Sequence, residues 1–287
     1  MKVKISFFCL FLLLAIQVME VNAQDKRFSL NIKEIDKILS MVKDSLYAGN
    51  YEVTNILYRT FLLDLYRTGQ NEKYERAIVD TNDWIAESDY YAPYVRYYFR
   101  HPNFNDFPVV GVSYDGATLF CQWLTQTYNN NPKREFKKIE FRLPTQEEWE
   151  YAASCGGKRG PYAWGGPGVK NSKCRSLCNY WELGDKNIHY DTLKNEFIVN
   201  NVNSKKKTDD SLHYDMNYTK PVNYYFPNDF GFYNVCGNVA EMILEKGIAC
   251  GGSWKSPGGD VQVKSKKYYS KPTCDIGFRF FMVIIEK

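Results

Sequence analysis

Residues 142–152 read Arg142-Leu143-Pro144-Thr145-Gln146-Glu147-Glu148-Trp149-Glu150-Tyr151-Ala152. Pro144 steers Leu143 away from helical dihedrals and so ends the segment before it. Thr145 is then placed to cap a helix. Glu148, three residues on, completes a capping box, in which each side chain accepts the backbone N–H of the other residue. Trp149, Ala152 and Ala153 share one face and predict the buried side.

The same local grammar extends upstream. Ser113 predicts a helix cap, with Asp115 in the first turn where the helix dipole favours an anion. Ala117, Phe120, Cys121 and Leu124 form the inward face of that helix. Thr54 or Asn55 opens another helix, with Ile56, Leu57, Phe61, Leu62 and Leu65 at helical spacing and Gly69 as its stop. Residues 24–50 are ambiguous. Ile32, Ile35, Leu39, Val42 and Leu46 fit a helical stripe, yet Ser45 to Val53 reads equally as a strand. Residues 89–110 are loop-like and aromatic, punctuated by Pro93, Pro102 and Pro108. Downstream of Gly156-Gly157 the regular signal weakens. Lys205-Lys206-Lys207 there reads as a solvated loop. Ile248 to Trp254 and Gly277 to Ile285 read as buried strands.

Composition narrows the class. Of 287 residues, 44% are apolar and 24% charged, which suits a packed core. Aromatics reach 16%, so ring packing and irregular loops are expected to carry more of the fold than long helices. The net charge is only +4, which does not point to nucleic acid or an anionic membrane.

Lys2 and Lys4, the apolar run Ile5 to Met19, and Val21-Asn22-Ala23 together read as a secretory signal, residues 1–23. Gln24 is then the first mature residue and export to the periplasm or cell envelope is expected, with no transmembrane segment after cleavage. The alternative is an uncleaved anchor. No cysteine follows the small residues, so this is not a lipoprotein signal. Cys9 leaves with the signal. Cys121, Cys155, Cys174, Cys178, Cys236, Cys250 and Cys274 remain, an odd number. Oxidising conditions would pair some of them and leave at least one over. The Cys174-x3-Cys178 spacing lacks the second ligand pair that a zinc site needs.

Seven segments in order resemble the formylglycine-generating (sulfatase-modifying factor) family. They are Tyr51-Glu52-Val53-Thr54-Asn55, Pro108 to Tyr114, Arg142 to Ala152 (with Trp164-Gly165 after it), Pro227 to Asn234, Gly237-Asn238-Val239-Ala240-Glu241, Gly251-Gly252-Ser253-Trp254 and Gly277-Phe278-Arg279. The resemblance implies a compact α+β fold related to C-type lectins and poor in regular secondary structure. It divides the mature chain into an N-terminal extension, residues 24–50, and a sulfatase-modifying-factor-like domain, residues 51–287. Family enzymes carry more sequence before the first block, so the N-terminal sheet edge is expected to be shortened or rebuilt. A narrower likeness joins His101-Pro102-Asn103-Phe104, Ala240 before Glu241, and Trp254-Lys255. These resemble gliding-motility and type IX secretion proteins of Bacteroidota, which assemble in the envelope. Those proteins are usually longer and lipid-anchored, and this chain is expected to depart from them on both counts.

The family's oxidases hold copper between two cysteines, three and eight residues after the Ser of Gly-Gly-Ser. Those positions are Ser256 and Val261 here. A hydroxyl is a poor Cu(I) ligand and an isopropyl group is none, so copper oxidase activity is not expected. Cys250 and Cys274 lie off those positions, and a disulfide between them is the simpler expectation. Another branch of the fold uses three histidines for iron, but His101, His189 and His213 lack the spacing. The resemblance also implies calcium as a structural ion. One site would use the Asn234 side chain, the carbonyls of Gly237 and Val239, and Glu241. Another would use Asn179, the carbonyl of Tyr180 and Asp215. A capped turn, with Glu241 paired to a cation, is the alternative for the first. Arg279 and Arg142 each need a carboxylate, which Glu148 or Glu150 would supply. The tyrosines from Tyr90 to Tyr98 read either as a sugar or protein contact surface or as packing. The expected function is a non-catalytic binding or envelope-assembly module with a protein partner, and the alternative is an atypical enzyme on the same fold.

Overall fold

The computed structural model describes residues 30–87, 89–182, 188–193, 196–199 and 218–287. The chain enters through a short helix, α1 (Ile32–Lys37), and a hairpin, β1 (Leu39–Lys43) and β2 (Leu46–Gly49). Helices α2 (Asn55–Arg67), α3 (Asn71–Ala77), α4 (Asp83–Glu87) and α5 (Ala92–Tyr97) follow. Next come α6 (Tyr114–Asn129), β3 (Lys138–Arg142) and α7 (Gln146–Ala153). A hairpin of β4 (Ile188–Asp191) and β5 (Glu196–Val199) precedes β6 (Ala240–Met242) and β7 (Ile248–Cys250). The chain closes with β8 (Lys266–Tyr268), β9 (Ile276–Gly277) and β10 (Phe281–Glu286).

The local signals place the helices. Thr54 Oγ1 accepts the N–H of Leu57, and Ser113 Oγ that of Gly116. At α7 the capping box is complete: Thr145 Oγ1 accepts from Glu148 N, and Glu148 Oε2 from Thr145 N. The ambiguous start resolves into both readings in turn. Asn31 caps α1, which stops at Ile38. Leu39, Val42 and Leu46 then lie in strands, and Asp44, at φ 49°, turns the hairpin.

The first sheet has the order β1-β2-β10-β3 and is antiparallel throughout. Residues before Tyr51 thus enter the sheet beside the C-terminal strand. The second sheet has the order β8-β7-β6-β9, with β6 and β9 parallel. Helices and mixed short strands make an α+β fold with modest regular structure. The strand expected to reach Trp254 stops at Cys250, because Gly251 and Gly252 sit at φ 83° and 66°. A Cβ on Gly252 would lie 2.3 Å from the Asp260 carbonyl oxygen, so only glycine fits this turn. The C-terminal run likewise splits into β9 and β10.

Three buried clusters fill the interior. The first joins α2 and α6 to the first sheet through Phe61, Phe120, Phe278 and Phe280. The second gathers around Trp149, Phe232 and Phe281. The third holds Trp84, Tyr98 and Trp254. Residues 89–110, expected to be loop, hold α5 and 3-10 turns at Asp89–Tyr91 and Pro102–Phe104. The signal segment, Lys205-Lys206-Lys207, His213 and Asp215 lie outside the described residues. No described helix is long and apolar enough to cross a membrane.

Candidate functional site

Arg279 follows β9 and is 1% exposed. A guanidinium so placed needs a charge partner and acceptors for its N–H groups. Nε donates to Glu241 Oε2 at 3.0 Å and Nη2 to Oε1 at 2.7 Å. Nη1 donates to the Gly49 carbonyl at 2.8 Å and Nη2 also to that of Tyr233 at 2.7 Å. Trp149 Nε1 donates to Glu241 Oε2 at 2.8 Å. One ion pair thus ties β2, α7 and β6 together. Arg142 has the expected partner, Glu148, at 2.6 Å through both nitrogens. Arg279 takes Glu241 rather than Glu148 or Glu150.

This pairing bears on calcium. Calcium takes six to eight oxygens, carboxylates among them. Asn234 suits that need: it sits at φ 53°, and its buried Oδ1 has no hydrogen-bond partner. Glu241 does not suit it, since Arg279 neutralises its charge and both its oxygens are engaged. Nearby Glu52 accepts from Asn234 Nδ2 at 3.2 Å and from Asn238 Nδ2 at 2.7 Å. Burial pushes the Glu52 carboxyl up to about 8 against the lowering pull of Arg279, which disfavours an anion there. Gly237, at φ 79°, packs against the Asn179 carbonyl, which a Cβ would meet at 2.3 Å. Val239 is buried in the third cluster, which also holds Trp254. Asn179 Nδ2 donates to the Tyr218 carbonyl at 2.8 Å, and the Asn179 carbonyl accepts from Asn238 N at 2.8 Å. Tyr180 is buried in the second cluster. As placed, the residues expected to hold calcium through Glu241 do not fit the ion: the position is an internally neutralised turn.

The Gly-Gly-Ser loop holds the positions where the family's copper thiolates would stand. Ser253 Oγ donates to Asp275 Oδ2 at 2.6 Å, and Ser253 N donates to Ser256 Oγ at 3.0 Å. The Ser256 carbonyl accepts from Trp181 N at 2.8 Å. Val261 is fully buried in the second cluster. Neither of two cavities, one beside Asn228 and Cys236 and one along Tyr90 to Phe104, is lined by Ser256 or Val261.

A charge network with no counterpart in the local sequence signals crosses this loop. Asp83 and Glu87, four apart, share a face of α4. Lys255 Nζ bonds Glu87 and lies 3.8 Å from both Asp83 Oδ2 and Asp275 Oδ1. Lys267 also bonds Asp275. Burial pushes the Asp275 carboxyl up, but Lys267 and Lys255 outweigh it and hold the group below the usual carboxylate range. Trp84 stacks on Trp254 at 5.9 Å and 10°, so α4 lies over the loop. Ligand atoms of Asp83, Glu87 and Cys274 converge within 4.8 Å, and Lys255 supplies the positive charge among them.

The described cysteines are all free, so the expected Cys250–Cys274 disulfide is not formed. Cys250 packs in the second cluster and Cys274 in the third, and burial pushes both thiols up. Cys174 is exposed and Cys178 buried, which separates the Cys-x3-Cys pair. His101 Nδ1 accepts from Asn103 N at 3.2 Å, a helix cap and not a metal ligand.

The profile of the sulfatase-modifying factor enzyme 1-like domain matches residues 38–284. The chain belongs to this family. Among curated relatives it is similar to the formylglycine-generating enzyme of Bos taurus, 25% identical over 222 residues, 70% of this chain and 49% of that protein. It is 31% identical over 138 residues to the formylglycine-generating enzyme of Thermomonospora curvata, 48% of this chain and 33% of that protein. It is also 30% identical over 146 residues to the inactive C-alpha-formylglycine-generating enzyme 2 of Bos taurus, 49% of this chain and 34% of that protein. The chain spans about half the length of the bovine formylglycine-generating enzyme, and less of the other two relatives. Among solved structures, PvdO from Pseudomonas aeruginosa matches with TM-score 0.50 and 18% identity, over 83% of this chain and 80% of that one. That likeness concerns the fold. The sulfatase-modifying-factor frame is therefore present around a Gly-Gly-Ser loop whose side chains are Ser256 and Val261.

Proposed function

We propose that this protein is an exported, non-catalytic member of the sulfatase-modifying factor family that works by binding a partner in the cell envelope. The observation that carries the proposal is the filled loop. Val261 is part of the core, Ser256 serves the turn as an internal acceptor, and α4 holds the neighbouring Trp254 and Lys255 through Trp84 and Glu87. Neither side chain offers the soft sulfur that Cu(I) prefers. The likeness of Trp254-Lys255 and His101-Pro102-Asn103-Phe104 to gliding-motility and type IX secretion proteins supports an assembly role for the same surface.

Two measurements test the proposal. With copper and a cysteine-containing sulfatase peptide, the purified protein is expected to consume no oxygen above buffer; peptide-dependent uptake would overturn the non-catalytic part. Cross-linking in native envelopes is expected to give a recurrent heteromeric species. Recovery of the uncrosslinked chain alone would count against assembly.

A further inference from the structure

The aromatic segment over the loop has an outer side as well as a buried one. Tyr90, Tyr94, Tyr97, His101, Asn103 and Phe104, with Pro93, line a cavity of about 520 Å³. That is within the range of ordinary small-molecule sites, roughly 300–1,000 Å³. Tyr90 is 65% exposed and Tyr97 45%, well beyond what packing under a loop would leave.

The floor is fixed before any ligand arrives. Tyr94 contacts Trp84 at 5.2 Å, Phe104 at 5.6 Å and Tyr218 at 5.3 Å. Phe104 in turn rests on buried Tyr98 at 5.2 Å. Tyr97 is braced edge-on by His101 at 6.2 Å, and the Arg96 guanidinium lies over its ring at 5.7 Å. A ligand entering such a frame orders few side chains, which removes part of the usual cost of binding.

The lining selects the ligand. Among the described residues its lining holds no Leu, Ile, Val or Met, so it does not suit an acyl chain or the aliphatic face of a helix. Nor, among the described residues, does it hold Asp, Glu, Lys or Arg, and the neighbouring Arg96 guanidinium is engaged on the Tyr97 ring. It does offer flat rings with hydroxyls at their edges, an imidazole and an amide. His101 Nδ1 accepts from Asn103 N, so in the neutral ring Nε2 carries the proton and donates. Rings for C–H faces and scattered donors for hydroxyls match a sugar, which is apolar across its ring and polar around its edge.

We propose that the Tyr90–Phe104 cavity is a binding site for a neutral saccharide. Its lining does not include Ser256 or Val261, and the proposal holds whether or not their loop is silent.

Saturation-transfer NMR and calorimetry with cellobiose, maltose and N,N′-diacetylchitobiose test it on the full chain. At least one of these is expected to bind in the millimolar range or tighter. Tyr97→Ala and Tyr90→Ala should each weaken it by about tenfold, the loss of one ring contact. Both residues are exposed, so thermal melts should match the wild type, and Tyr97→Phe should retain most of the affinity. The proposal fails if no neutral disaccharide binds, or if binding survives both alanine variants. It also fails if a polyproline peptide or a uronic-acid disaccharide binds in place of the neutral sugars.

Discussion

Two of the ionic junctions among the described residues, Arg279–Glu241 and Lys255 with its carboxylates, differ in how dry they are. At the first, the side chains of Arg279 and Glu241 are 2% and 1% exposed. At the second, Lys255 is 19% exposed and Glu87 34%, while Asp275 is 1%. The first pair joins both sheets at their centre. The second straps α4 across a loop at the surface. Charge alone does not say which matters more: water that can replace a lost partner does.

Glu241→Ala is therefore the most damaging change expected. It leaves the Arg279 guanidinium buried without a counter-charge, a loss of about 3–5 kcal/mol. Chemical denaturation checks this, and a loss near that of an ordinary surface pair would mean that the junction is wet. Lys255→Ala comes next, at about 1–2 kcal/mol, because water reaches Glu87 and Lys267 still serves Asp275. A loss as large as that of Glu241→Ala would erase the distinction between the junctions.

The contrast also marks what was legible in the sequence. Caps at Thr54, Ser113 and Thr145 depend on residues three apart, so the local pattern sufficed. Arg142–Glu148 is likewise local. Arg279–Glu241 and Lys255–Asp83 join segments that meet only in the tertiary fold, and no spacing rule finds them. The loop of Glu241 has the family's calcium residues, so the sequence leaves a calcium ligand and a pairing with a cation both open; the guanidinium that pairs with it lies 38 positions on. The β1–β2 hairpin was hidden because Ile32, Ile35, Leu39, Val42 and Leu46 satisfy a helical period while serving a helix and then two strands. The Ser256 and Val261 positions are visible in the sequence, but the contacts of α4 with the neighbouring Trp254 and Lys255 are not. The aromatic segment announced its composition but not its two sides.

A third effect sharpens the dry side. Burial raises the Glu52 carboxyl from 4.5 to about 8 in the folded state. A raised carboxyl means that the native state keeps a proton the unfolded chain has released. Its contribution is full below the unfolded value and is lost as pH rises through about 8. The melting temperature of the wild type is expected to fall across that window, and Glu52→Gln should flatten the profile. Equal slopes would show that Glu52 is ionised beside Asn234 and Asn238.

The smallest expected effect concerns calcium. With Glu241 committed to Arg279, chelator should leave the melting temperature unchanged. A drop on chelation, restored by added calcium, would show that an ion displaces the guanidinium and that the first junction is a metal site.

The loop between the two junctions is tested most directly by mass spectrometry of a cysteine-containing sulfatase peptide incubated with the protein, copper and reductant. The peptide cysteine is expected to remain a thiol, with no conversion to aldehyde over many hours. Aldehyde accumulating in excess of the protein, and lost in Ser256→Ala, would contradict the assignment of Ser256 and Val261 as a site without oxidase chemistry.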